Sequence, residues 1–315
     1  FLLAAGGLIL FAPAALASRW SPAALALTHA LTLGFLGQTM LGALTQILPV
    51  VAGAPLPCVR PVARFAHAAL AGGTAALLVG FLSAVPLAYG TALALLGAGF
   101  VVFLSALAAS LIRAAHGPTT AGLRLASLAL LLVVALGGIL ALPRTGAPYL
   151  PALPARIDMH LAFGLLGWIL LLVVAVALQV VPMFQITPAY PAWAARGLPP
   201  ALFALLLLRS AGPMLPAYAG PTIDACLALG VLAFALVTLD LQRRRRRRLP
   251  DTTLDFWRLA MASLIACVTA WGLTRVLPAW AAHAAYPSLQ GILFLGGFAA
   301  SAVSGMLYKI VPFLA

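Results

Sequence analysis

Leu25–Pro57 reads LALTHALTLGFLGQTMLGALTQILPVVAGAPLP, and this stretch decides the fold. Its apolar run is long enough to cross a bilayer at about 1.5 Å per residue. His29 lies near its start; small residues (Gly34, Gly37, Gly42, Ala43) follow, then Gln46, Pro49 and a Gly-Ala-Pro turn. The same grammar returns at residues 157–188, IDMHLAFGLLGWILLLVVAVALQVVPMFQITP, and at 286–315, YPSLQGILFLGGFAASAVSGMLYKIVPFLA. Aligned on their closing prolines (Pro49, Pro182, Pro312), the copies each carry a polar residue three places earlier: Gln46, Gln179 and Lys309. His29 and His160 occupy the upstream end of the first two copies. Gln290 takes that place in the third, with His283 further upstream.

Composition agrees with a membrane chain. Of 315 residues 64% are hydrophobic and 7% charged, at a mean hydropathy of +1.13; soluble chains carry roughly 25% charged residues. The acids are Asp158, Asp224, Asp240, Asp251 and Asp255, with no glutamate. Only helices and closed barrels satisfy their backbone groups in lipid, and the alternating ten-residue strands of a barrel are absent. The expected class is therefore all-α: a polytopic membrane helical bundle, one transmembrane domain over 1–315. Ten spans are expected, at 1–18, 22–50, 64–86, 88–114, 121–142, 157–183, 198–215, 222–242, 254–276 and 286–313. The repeats then fall on the second, sixth and tenth spans, as three four-helix pseudo-repeats. The chain opens at Phe1 and closes at Ala315 beside apolar runs, so it is expected to continue beyond both ends.

The net charge of +13 does not point to nucleic acid. Six of the charges form one run, Arg243–Arg248, between apolar segments, where contact with anionic lipid headgroups is expected. Arg60, Arg64, Arg113, Arg124, Arg196, Arg258 and that run share one side. Arg19, Arg144, Arg156 and Arg275 share the other. The first side is expected to be cytoplasmic, which sets His29, His160 and His283 toward the outer leaflet and Lys309 snorkelling at the inner one. Cys58, Cys226 and Cys267 show no metal spacing.

Intramembrane histidines are costly, and neutral imidazole is the commonest metal ligand. His29, His160 and His283, on like-oriented helices at similar depth, are the candidate ligands for a haem iron. For each, the alternative is a hydrogen-bonded structural or interfacial histidine. Met159, beside His160, makes the one soft-plus-imidazole pair for copper. His67 and His116 read as interfacial. No nucleophile–base pair, phosphate loop or HExxH motif occurs.

The second span resembles the second helix of subunit I of the haem-copper oxidase superfamily. There a haem-ligating histidine is followed, some twenty residues on, by a Val-Pro-Leu-Met-Ile-Gly-Ala-Pro-like end. Here that end is Leu48-Pro49-Val50-Val51-Ala52-Gly53-Ala54-Pro55, and the histidine is His29. The resemblance implies twelve helices in threefold arcs and a b-type haem. The family's His-x-His on the tenth helix corresponds to Gln290-Gly291-Ile292, and its copper motif and His-His pair have no counterpart, so only His29 carries over. His29–Gly34, His-Ala-Leu-Thr-Leu-Gly, is also similar to NnrS-type haem- and copper-containing membrane proteins. The expected function is a haem-binding integral protein of a bacterial inner membrane. It would serve respiratory electron transfer or nitric oxide or metal handling beside other membrane or cytochrome subunits, without an oxygen-reducing centre. The competing expectation is a cofactor-free transporter or accessory subunit.

Overall fold

A computed structural model describes residues 2–11, 18–148, 153–246, 249–283 and 285–314. Among them there is helix and no strand. Eight helices are long and apolar enough to cross a membrane: α2 (Pro22–Ala52), α3 (Val59–Ser83), α4 (Pro86–Arg113), α5 (Pro118–Thr145), α6 (Pro154–Gln185), α8 (Ala219–Arg243), α9 (Thr252–Val276) and α10 (Tyr286–Val311). Two more helices of ten residues or more, α1 (Leu2–Phe11) and α7 (Ala192–Ser210), fall outside that set, as does the short helix Pro278–Ala282. The expected first span runs partly onto residues 12–17, outside the described ones. The expected seventh begins earlier than its apolar run, at Ala192, and carries Arg196, Pro199 and Pro200 within the helix.

Local chemistry sets the boundaries. Ser21, in extended conformation, caps α2: its side chain accepts from the Ala24 amide, and Pro22 takes the first helical position, where a missing N–H costs nothing. At the far end Gly53 adopts φ +61° and closes the helix through its amide to the Leu48 carbonyl, a conformation that glycine adopts without strain. Asp251 caps α9 by accepting from the Thr253 amide. The expected start of the sixth span at 157 is corrected: the helix is under way from Leu153, so His160 stands about two turns inside it.

The residues form two compact units: Phe1–Ala115 with Leu131–Leu161 and Ala282–Leu289, and His116–Leu130 with Ala162–Ala281 and Gln290–Ala315. In the first, α3 and α4 form a tight antiparallel hairpin, its turn made by Ala84 at φ 56° and Val85. Tyr89 is buried at the base of this hairpin. In the second, small residues let neighbours close in. A methyl at Gly167 would come within 2.8 Å of the Ala129 Cβ, and one at Gly297 within 2.5 Å of the Ser263 hydroxyl. Buried polar groups there find each other: the Gln242 amide donates to Gln185 Oε1 at 3.0 Å, and the Tyr190 and Thr238 hydroxyls meet at 2.8 Å.

Helices α2, α6 and α10 each contain a π-helical stretch: Ala30–Gly37, Phe163–Leu170 and Ile292–Ala300. Each stretch ends twelve residues before a proline: Gly37 before Pro49, Leu170 before Pro182, Ala300 before Pro312. Each also holds a glycine followed by an aromatic at matching places: Gly34-Phe35, Gly167-Trp168 and Gly297-Phe298. Wide turns of this kind in otherwise regular helices often lie at functional sites.

Candidate functional site

The first unit brings two of the candidate histidines together. Counting from Pro22, the Ser21 cap places His29 two turns into α2, directly before the wide turns begin. Its Nδ1 lies 2.8 Å from the Leu25 carbonyl one turn back. A carbonyl only accepts, so Nδ1 carries the proton and Nε2 keeps its lone pair. The ring packs against Phe81 at 5.0 Å between centres, and Phe81 in turn meets Tyr89 edge-on at 5.8 Å.

His160 is fixed in the same way by a different helix. Its Nδ1 donates to the Val133 carbonyl of α5 at 3.0 Å. Gly137, one turn beyond Val133, leaves the space: a Cβ there would lie 3.1 Å from His160 Cε1 and 3.6 Å from Nδ1. The missing side chain lets the imidazole reach a carbonyl that a larger residue would screen. Its tautomer is therefore that of His29, with Nε2 unprotonated.

The two rings are near parallel, 17° between planes, with centres 6.2 Å apart. That is beyond face-to-face contact. It is about the separation that two imidazoles take when each puts a nitrogen roughly 2.0–2.1 Å from one metal atom between them. Both Nδ1–H groups are already engaged by carbonyls, the outer-shell arrangement that orients metal-bound histidines and raises their basicity. The donor set thus fits a metal centre with two imidazole ligands, a haem iron included.

The other candidates stand elsewhere. His283 is exposed in the segment before α10, where Nδ1 accepts from the Ala285 amide at 3.2 Å. Among the described residues no group of three or more His, Cys, Asp or Glu is placed to hold a metal, so the three histidines do not gather into one cluster. Met159 is half-buried and lies about 100° round the helix from His160. Gln46 and Gln179 are exposed. Lys309 does not simply snorkel: its ammonium sits 2.9 Å from the Asp251 carboxylate. Burial raises the Asp251 pKa, but the Lys309 hydrogen bond and charge, with the Thr253 and Leu254 amides, bring it below the usual carboxylate range. His67 donates to Gln38 Oε1 at 2.8 Å.

In the arginine run, Arg243 ends α8 and Arg244 pairs with Asp240. Arg245 donates to the Leu249 carbonyl and the Arg246 amide to the Ile186 carbonyl, each at 3.0 Å. Arg247 and Arg248 lie outside the described residues.

Sequence reading missed Val133, Gly137 and Phe81, which hold the two rings. The Gly137-Gly138 pair in an apolar helix was the one visible signal of a close approach there. No protein-family model, curated protein or solved structure matches the chain.

Proposed function

We propose that this multi-pass membrane helical protein binds a b-type haem between His29 and His160 and serves in electron transfer, or in handling nitric oxide or metal. The observation that carries the reading is the pair of near-parallel imidazoles at 6.2 Å, both with Nδ1–H bonded to backbone carbonyls. A haem iron with two imidazole ligands supplies one-electron exchange between its ferric and ferrous states. The residues of this chain hold the two ligand rings in register, fix both tautomers, and surround them with apolar helix. The matching places of the π-helical stretches support three four-helix pseudo-repeats, of which the first two supply the ligands. This differs from the pairing of second and tenth helices that the family resemblance implies. The arginine side faces the cytoplasm of a bacterial inner membrane, with Arg243–Arg248 against anionic headgroups, and partner cytochrome subunits exchange the electron.

The test is an oxidised and dithionite-reduced absorption spectrum, with pyridine haemochrome and metal analysis, on protein expressed with haem supplied. A sharp reduced α band with one iron per chain is expected. Stoichiometric copper without a Soret band would assign the same two imidazoles to a copper ion. Neither metal in the sample would leave the cofactor-free transporter or accessory subunit as the function.

A further inference from the structure

Arg156 opens the outer end of α6, one turn before His160 and on the same helical face. Its Nη1 is buried with no hydrogen-bond partner among the described residues. An unpaired guanidinium N–H away from water is costly, and doubly so at the edge of a bilayer. The carboxylate nearest in sequence does not relieve it: Asp158 turns outward to Arg19, at 3.9 Å, with both side chains about half exposed. Three others are engaged elsewhere, Asp224 by Arg209 and Arg275, Asp240 by Arg244, and Asp251 by Lys309, and the fifth, Asp255, stands in the first turn of α9. In a chain with only five acids, a half-buried arginine one turn from a candidate ligand, with a buried Nη1 and no ion pair among the described residues, points to an anion brought by the ligand.

We infer that Arg156 receives a carboxylate of the group held by His29 and His160. The inference rests on the haem reading and deepens it: Arg156 recognises the anionic edge of the macrocycle while the imidazoles hold its centre. A guanidinium is suited to this, since its planar fork donates two parallel hydrogen bonds to one carboxylate.

The experiment loads wild-type protein, Arg156→Gln and Arg156→Lys with haem and, separately, with haem dimethyl ester, which keeps the iron and the ring but has no free carboxylate. Haem dissociation is timed by transfer to apomyoglobin, and midpoint potentials are recorded. With haem, Arg156→Gln should bind about ten- to a hundredfold more weakly, the range of one charge-assisted hydrogen bond. Arg156→Lys should fall between. The potential should move negative in Arg156→Gln, because a cation that disfavours ferric iron has gone. With the ester, wild type should drop to the level of Arg156→Gln. This arm needs no substitution, so it stands even if a variant folds poorly. Equal retention of haem and its ester by wild type would overturn the role of Arg156 and leave the haem reading intact. Failure of wild type to take up either would overturn both.

Discussion

The imidazole planes of His29 and His160 lie 17° from parallel with centres 6.2 Å apart, and each ring is anchored by Nδ1 to a carbonyl of a different helix, Leu25 on α2 and Val133 on α5. Two structural histidines could each satisfy one nitrogen in this way. What distinguishes this pair is that both leave the same nitrogen, Nε2, free of those carbonyls, while the ring centres lie 6.2 Å apart. For the proposed ligation, preset tautomer and orientation would lower the cost, because neither ring would have to change its Nδ1 hydrogen bond on binding.

On the haem reading, replacing His29 or His160 by alanine removes one of the two proposed imidazole ligands. Either change should abolish the sharp reduced α band expected of wild type. His283→Ala and Met159→Ala should leave it unchanged, since neither residue lies in the pair. Reduced-minus-oxidised spectra of the four variants at equal protein concentration check this. An unaltered spectrum in His160→Ala would remove α6 from the site.

Gly137→Ala tests the seat of His160. The added methyl would lie 3.1 Å from Cε1 and force the ring away from the Val133 carbonyl, whereas at Gly138 the nearest atom, Leu93 Cδ2, is 3.9 Å away. Haem retention should fall several-fold in Gly137→Ala and hold in Gly138→Ala. The g-values of the ferric form should shift only in the first.

Ser21→Ala removes the α2 cap, which accepts from the Ala24 amide at 3.0 Å. A lost cap of this type costs about 1 kcal/mol. Amides in the first turns of α2, up to His29, should exchange faster with deuterium while those of α3 do not.

Gly297→Ala sets a methyl 2.5 Å from the Ser263 hydroxyl and 2.6 Å from its Cβ, while a methyl at the adjacent Gly296 meets open space. Overpacking of this kind costs about 1–3 kcal/mol. The melting temperature in detergent should drop for Gly297→Ala and stay within error for Gly296→Ala.

The Asp251 carboxylate has a folded-state pKa below its ordinary value of 3.8. Its contribution to stability is therefore complete above that ordinary value and is lost as pH falls through the lower, folded one. Asp251→Asn should lower the melting temperature at pH 7. The gap from wild type should close progressively below about pH 4. A gap independent of pH would place the effect in capping rather than in the Lys309 ion pair.

Much of this was legible in the chain. Hydropathy located eight of the ten expected spans, because lipid leaves a backbone little choice but helix, and Ser21-Pro22, Gly53 and Asp251 act as the caps their types suggest. His29 and His160 stood out as imidazoles in apolar surroundings. What sequence did not convey was partnership across helices. Nothing in the spacing of His29, His160 and His283 says that two meet and the third sits exposed beside Ala285. Val133 contributes only a carbonyl, which every residue has, so its role has no signature in side-chain chemistry. The π-helical turns were hidden for a similar reason: they change which carbonyl an amide reaches without changing composition.

Those wide turns have a genetic counterpart. A π-helical stretch amounts to one residue more than regular winding needs, so α2, α6 and α10 each carry a residue that could be deleted without breaking the helix. Deletion of one residue within Ala30–Gly37 would leave a continuous α-helix whose two halves keep nearly their present phase, because the wide turn is what absorbs the extra residue. The surplus residue therefore sets the local width of the helix beside His29 and not the neighbours that Gln46 and Pro49 meet. A shortened α2 would remain helical and packed while losing the wide turn.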